Sequence, residues 1–454
     1  MRCISGLSIY DMDRCVFFIS LGCDKNLVDS EVMLGELSAR GYSFTDDIDE
    51  ADSVIVNTCC FIGDAKAESR DTVRDMAERK KAGQLRCLIV TGCLSQRYRE
   101  EIKAGIPEVD ALLGTASIGH IADCLDAVYR GESFDTFDAL DTPPYCSELR
   151  AHSSGLHYAY LKIAEGCDKR CTYCIIPSLR GPYRSYPMEH LKDEALRLAD
   201  QGVRELILVA QETTLYGTDL YGRKALPELL RALSETEGIR WIRILYCYPE
   251  EIDDALIEEI ATNPKVCHYL DMPIQHASDS VLKRMGRRTT QSELRAIISR
   301  LRDRIPDIAL RTTLISGFPG ETQEDFEELY RFVNEMEFDR LGVFTYSREE
   351  DTPAAVMEEQ IPAEIAEQRR DELMILQQAV SLDNAEKHIG ELTEVVIDGS
   401  IPEEDVYVGR TYRDAPDVDG CVFMPIDYER MSGDIVTVRI TEAGEYDLIG
   451  EITE

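Results

Sequence analysis

The sequence predicts a multidomain α/β protein that closes with a small all-β domain, and three observations carry that expectation. Short apolar runs alternate with amphipathic stretches from residue 16 to 130, the pattern of buried parallel strands joined by helices. After a polar segment, 131–154, containing Pro143 and Pro144, a second and longer set of strand–helix units begins. Beyond residue 390 the helical period disappears and five short strand-like runs follow one another. At 454 residues the chain is long enough for about two or three cores.

In the first part, strands are expected at 16–21, 53–57, 86–91 and 110–113, with helices at 27–40, 64–82, 96–104 and 117–130. This is an open α/β sheet, whose ligands sit beyond the carboxyl ends of the strands. In the second part, strands at 158–163, 205–210, 241–245, 267–272, 309–315 and 340–345 alternate with helices, notably 187–201, 249–262 and 322–337. Six such units predict an open or partial barrel. A long helix over 363–387 leads out of it. The terminal strands are expected at 393–398, 406–411, 420–425, 434–440 and 447–452, as a barrel or sandwich.

Fifteen cysteines, with no basic-then-apolar leader pattern in residues 1–14, point to a reducing compartment in which thiols act as ligands. There is no run of 18 apolar residues, so no membrane span is expected and a cytoplasmic location follows. The net charge is −37. Such a surface repels a phosphate backbone and attracts a basic protein, although solubility alone also explains an acidic composition.

The run Glu165-Gly-Cys167-Asp-Lys-Arg-Cys171-Thr-Tyr-Cys174 places three thiols in one tight loop. A closed structural zinc site wants four ligands. Three cysteines on a 4Fe–4S cluster leave one iron open to a substrate or cofactor. A zinc site or three buried thiols remain alternatives on spacing alone. The loop follows the first barrel strand, on the face where barrels keep their chemistry. Cys23, Cys59 and Cys93 fall at the carboxyl ends of three strands of the first sheet, so a second three-thiol site is expected there without any local motif.

Ser20-Leu-Gly-Cys23-Asp-Lys-Asn-Leu-Val-Asp-Ser-Glu31, Asn57-Thr-Cys59-Cys60-Phe-Ile-Gly-Asp-Ala-Lys66 and Thr91-Gly-Cys93 resemble the amino-terminal domain of radical S-adenosylmethionine (SAM) methylthiotransferases. The 165–177 loop with Arg180-Gly181 resembles their radical SAM loop, and the tail is similar to a TRAM domain. The resemblance implies a flavodoxin-like α/β amino-terminal domain over 14–132, a partial (β/α)6 radical SAM barrel over 152–382 and a small all-β TRAM domain over 383–454. Of the two branches of the family, one modifies a transfer-RNA adenosine and the other an aspartate of ribosomal protein uS12. Asp24 to Glu31 and Val209-Ala-Gln-Glu-Thr-Thr-Leu-Tyr-Gly217 resemble the second. Residues 383–454 hold 5 Lys/Arg against 19 Asp/Glu, which suits a basic ribosomal protein better than RNA.

The resemblance implies two 4Fe–4S clusters, one on Cys167, Cys171 and Cys174, the other on Cys23, Cys59 and Cys93. It also implies SAM as cofactor, uS12 as substrate and an electron-donor protein as partner. SAM cleavage to a 5′-deoxyadenosyl radical would abstract hydrogen from the aspartate β-carbon, and sulfur would arrive from the second cluster. Cys60 stands where the family usually has glycine, and Glu212 where aspartate is expected. Gln211 and Glu212, ending the second barrel strand, are candidates to touch SAM, against the alternative of a solvated strand end. Arg311 could pair with the SAM carboxylate or with a structural acid, and Gly317 could admit a nucleoside or simply turn the chain. Lys169, Arg170, Arg180 and Arg184 crowd the radical loop and are expected to form a solvated rim, against the alternative of receiving an acidic substrate or an electron donor; the acidic runs at 349–351 and 403–405 are expected as solvated loops. Cys3, Cys15, Cys87, Cys124, Cys146, Cys247, Cys267 and Cys421 read as packing or incidental thiols. A Cys247–His276 hydrolase pair is a remote alternative. A transfer-RNA methylthiotransferase and a non-catalytic iron–sulfur or zinc protein binding the ribosome remain the competing readings.

Overall fold

The computed structural model of the protein describes residues 14–155 and 157–453; Cys3 and most of the segment examined for a leader lie outside them. The chain divides into two compact units, Met1–Ala151 and His152–Glu454.

In the first unit, β1 (Cys15–Ser20), β2 (Ser43–Phe44), β3 (Ser53–Thr58), β4 (Cys87–Gly92) and β5 (Ala111–Leu112) form one parallel sheet in the order β2-β1-β3-β4-β5. That is the flavodoxin-like order, with its switch point between β1 and β3. Every residue of β3 and β4 is buried, as both faces of a parallel sheet require. Helices Asp24–Ala39, Gly63–Lys81 and Cys93–Gly105 connect the strands, and Ile121–Tyr129 follows the last of them. The two-residue β2 carries no periodic signal and was not expected from the sequence.

The second unit holds two sheets of different kind. Strand β6 (Tyr158–Lys162) is followed by the short antiparallel pair β7 (Ala164–Glu165) and β8 (Arg184–Ser185). Then come β9 (Glu205–Val209), β10 (Trp241–Ile244), β11 (Val266–Asp271), β12 (Ala309–Ser316) and β13 (Arg340–Thr345). The six long strands are all parallel, in the order β13-β12-β11-β10-β9-β6, an open sheet as expected. Leu206, Leu208, Ile242, Ile244 and Leu270 turn one way into the core beneath the helices. Their neighbours Glu205, Arg243, Tyr269 and Arg311 turn the other way, so this parallel sheet has one polar face.

Helix Ala363–Glu386 packs on β13 and buries Ala366, Arg369, Leu373, Gln377 and Val380, a spacing of three to four residues. It leads into β14 (Leu392–Ile401), β15 (Val406–Arg410), β16 (Val422–Pro425), β17 (Ile435–Ala443) and β18 (Leu448–Ile452), which close into a barrel. Segment 410–419 of this barrel meets the polar face of the six-stranded sheet. Arg410 and Arg243 both donate to Glu205, at 2.9 and 2.7 Å. Tyr269 donates to Asp419 at 2.7 Å, and Arg340 to Asp414 at 2.5 Å. The charged inner face is therefore answered by the terminal barrel rather than by water.

Among the described residues no helix is long and apolar enough to cross a membrane.

Candidate active site

The six expected cysteines fall in two sets, one in each unit. In the first unit, Cys23 follows β1 at the start of helix Asp24–Ala39, Cys59 follows β3, and Cys93 opens helix Cys93–Gly105. All three lie at carboxyl ends of strands, and the first two flank the switch point. Gly22 has φ +94°, and a Cβ there would lie 2.6 Å from Cys59 Cβ; only glycine lets the first loop pack on the second. Asn26 donates to Leu21 O at 2.8 Å and Thr58 O at 3.1 Å, tying the same two loops. Thr58 Oγ1 donates to Thr91 O at 2.5 Å, drawing in the third. Cys23 is exposed, while Cys59 and Cys93 are buried.

Cys60 is wholly buried beside Cys59 and Cys93, and burial pushes its thiol far above the ordinary range. Arg97 also lies against it.

In the second unit, the Cys167–Cys174 loop leaves the carboxyl end of β6 through β7. Gly166, at φ +76°, would place a Cβ 2.1 Å from Pro182 O, so the entry to the loop demands glycine. Cys167 N donates to Gly181 O at 3.1 Å, Cys174 N to Cys171 O at 3.1 Å, and Thr172 N to Met285 O at 2.9 Å. The loop is thus laced to two other segments. Burial pushes the Cys167 and Cys174 thiols up to about 12.

Behind this loop lies a buried polar group that the sequence reading missed in part. Glu165 accepts from Lys162 at 2.8 Å, Arg180 at 3.1 Å and Gln211 at 3.0 Å. Burial raises the Glu165 carboxyl, but Arg180 and Lys162 outweigh it and hold it well below the usual carboxylate range. Among the described residues, Gln211 Oε1, Glu212 Oε2 and the Tyr183 hydroxyl are buried without a hydrogen-bond partner. Glu212 is fully buried, not a solvated strand end; its Oε1 accepts from Thr214 N at 3.0 Å and from the Thr214 hydroxyl. Burial lifts its carboxyl to about 8.

Arg311 donates to Asp271 at 2.8 Å and lies 3.4 Å from Asp419 of the terminal barrel. At Gly317, φ +73°, a Cβ would lie 2.3 Å from Ala366 Cβ, so the space beside that residue belongs to the long helix. Of the four expected rim cations, only Arg180 is fully buried; Lys169 and Arg184 are half-buried. Arg180 is buried against Glu165, Arg184 donates to Arg180 O at 2.5 Å, and Lys169 pairs with Glu251 at 2.5 Å; Arg170 alone is exposed. Likewise Glu349 is buried and accepts from Ser347, whereas 403–405 are exposed. Cys247 bonds with Thr213 at 3.4 Å and His276 Nδ1 accepts from Ser278 N at 3.0 Å, so each has a structural partner of its own.

Among the described residues, no three His, Cys, Asp or Glu side chains converge closely enough to hold a single ion. A cubane spreads its thiolates over several irons, one to each, and asks for a wider cradle. Cysteine-only donor sets fit such a group, and the orphaned buried acceptors beside one of them fit the ammonium of a cofactor bound next to it. Cationic iron also reverses the burial penalty on the thiolates.

A parallel open barrel with a three-cysteine loop after its first strand defines the class of radical SAM enzymes. Residues 161–333 match the Radical SAM superfamily, 15–114 an uncharacterized protein family, UPF0004, and 389–453 the TRAM domain. The radical SAM methyltransferase TsrM from Kitasatospora setae shares the fold over 84% of this chain and 81% of its own, with a TM-score of 0.54 at 14% identity. The ribosomal protein uS12 methylthiotransferase RimO of Lachnoclostridium phytofermentans is 59% identical over 96% of this chain and 99% of its own length. The RimO of Acetivibrio thermocellus is 50% identical over 97% and 99%. The chain belongs to the RimO family of radical SAM methylthiotransferases.

Proposed function

We propose that this chain transfers a methylthio group to the β-carbon of an aspartate of ribosomal protein uS12. The observation that supports the reading best is the placement of Cys167, Cys171 and Cys174 in one loop after β6, and of Cys23, Cys59 and Cys93 each just after a strand of the first sheet. Bound there, two 4Fe–4S clusters and two molecules of SAM would supply the sulfur, the methyl group placed on it and the radical that takes hydrogen from the aspartate β-carbon.

The protein's own residues then hold and orient. Cys167, Cys171 and Cys174 ligate one cluster, and Cys23, Cys59 and Cys93 the other. Gln211 Oε1 and Glu212 Oε2, buried acceptors with no partner, suit the SAM ammonium, which brings the missing donors. The cation-rich pocket around Glu165 keeps that acid charged while its oxygens are already used, so it braces Gln211 rather than titrating. Arg311, with Asp271 on Nη1 and Asp419 beside Nε, keeps Nη2 for the SAM carboxylate, and the turn at Gly317 lies at the end of the same strand.

The working modules are 14–132, 152–382 and 383–454. The acidic terminal barrel docks the basic substrate and is poorly suited to RNA phosphates. A separate protein delivers electrons, and the reaction belongs in the cytoplasm, where its ribosomal substrate resides. Anaerobic reconstitution with iron and sulfide, then SAM and dithionite, tests the reading. It predicts two clusters and release of 5′-deoxyadenosine; one zinc with no acid-labile sulfide supports the non-catalytic alternative instead.

A further inference from the structure

Arg287 is 7% exposed, and its Nε and Nη1 have no hydrogen-bond partner. Nη2 donates to Pro273 O at 2.9 Å, and the guanidinium carbon lies 4.2 Å from the centre of the Tyr248 ring. On that ring's other contacts, Lys169 Nζ lies 5.0 Å from the centre, and the Tyr248 hydroxyl meets Cys171 Sγ at 3.5 Å. Residues just before Arg287 grip the same loop: Thr172 N donates to Met285 O at 2.9 Å and Thr172 Oγ1 to Arg284 O at 2.8 Å. A Cβ at Gly286 would lie 2.9 Å from Arg170 O, so backbone runs on backbone here.

The charges around it are unequally matched. Lys169 is answered by Glu251 at 2.5 Å and Glu250 at 3.4 Å. Glu250 also accepts from Thr289 at 2.9 Å. Among the described residues Arg287 forms no ion pair. The groups within electrostatic reach of it are Tyr173, Tyr248, Cys171 and, more weakly, Glu250. Burying a cation without an anion is costly, and a fixed guanidinium fork with two open N–H donors is built to meet one. A cluster held by three thiolates is a buried anion, and its charge and the hydrogen bonds to its sulfurs set its potential.

We infer that Arg287 is a positioning residue of the radical cluster: it neutralises the cluster on the Cys171 side, offers its Nε and Nη1 hydrogens to sulfur there and raises the reduction potential. This rests on the assignment of Cys167, Cys171 and Cys174 as cluster ligands. Tyr248 fixes the fork from below, and Pro273 O fixes it from the side. The uncompensated charge is what distinguishes the role from packing.

The test is an electron paramagnetic resonance titration with dithionite, which supplies the single electron. It uses chains carrying Cys23→Ala, Cys59→Ala and Cys93→Ala so that only one cluster is read. Arg287→Gln, which keeps amide donors but loses the charge, should lower the reduction equilibrium constant at least tenfold, about 59 mV for a one-electron couple. Arg287→Lys should stay near the parent. If Arg287→Gln holds no iron while Arg287→Lys does, with the cluster-free chains melting at the same temperature, the charge requirement is equally supported. An unchanged potential in Arg287→Gln overturns the inference, as does loss of iron in both variants with lowered melting of the cluster-free chains. A parent chain whose iron survives Cys167→Ala overturns the ligand assignment instead.

Discussion

Arg410 of the terminal barrel and Glu205 at the start of β9 form an ion pair at 2.9 Å, their side chains 3% and 2% exposed. Arg243 shares the same carboxylate at 2.7 Å, and Arg410 reaches on to Asp398 at 2.8 Å, which in turn meets His157. Burial favours protonation of Glu205, yet Arg410 and Arg243 outweigh it and hold the carboxyl below its ordinary value. The terminal barrel is thereby joined to the six-stranded sheet through charge rather than through an apolar seam.

Removing one partner of such a pair strands the other in a low-dielectric interior. Arg410→Met is expected to destabilise the chain by about 3 kcal/mol, the low end for a broken buried pair because Arg243 still serves Glu205. Urea unfolding of the full chain measures this. Glu205→Gln combined with Arg410→Met should cost less than the sum of the two single changes. Strict additivity would mean that the pair is not coupled.

Alanine at Cys167, Cys171 or Cys174 should abolish SAM cleavage. Alanine at Cys23, Cys59 or Cys93 should spare cleavage and stop sulfur insertion. Each change should remove roughly four irons per chain, the content of one cubane. Product formed by any of the second three would refute the assignment of that cluster.

Cys60 is wholly buried next to Cys59, whereas Cys59 is the residue that directly follows β3. Cys60→Gly should leave iron and sulfide content unchanged. The lost side chain should cost about 1–2 kcal/mol, read from the urea midpoint. Loss of iron would make Cys60 a ligand.

His276 is fully buried, and burial lowers its pKa to about 3 in the folded chain. The unfolded chain takes up that proton near 6.5. Between those values the unfolded state binds more protons, so stability falls as pH drops from 6.5 toward 3. His276→Asn should flatten this dependence by up to one proton, about 1.4 kcal/mol per pH unit. Unfolding titrations at pH 7 and pH 5 compare the slopes; an unchanged slope would show that His276 does not titrate there.

Much of this architecture was legible because parallel strands buried on both faces read as short apolar runs. The terminal strands alternated clearly enough that all five were placed to within a few residues. The two-residue β2 was invisible, since Ser43 and Phe44 have no period to display. That Cys23, Cys59 and Cys93 each follow a strand of the first sheet was readable from the apolar runs before them. What stayed hidden depends on distant packing. That Arg311 meets Asp419, or that Arg180 turns inward to Glu165, requires knowing which face of the barrel the terminal domain covers. Glu165 had a usable signal, an acid three residues after Lys162 and two before the first cluster cysteine. Arg287 had none: its importance lies in burial without an anion, which no local pattern reveals.

The central claim is tested most directly by mass spectrometry of uS12 from cells lacking this chain and from the same cells with it restored. The account predicts that one aspartate-containing peptide of uS12 carries a methylthio group only when the chain is present, and that Cys23→Ala does not restore it. An unmodified uS12 in both, with a modified transfer-RNA nucleoside appearing on restoration, would contradict it.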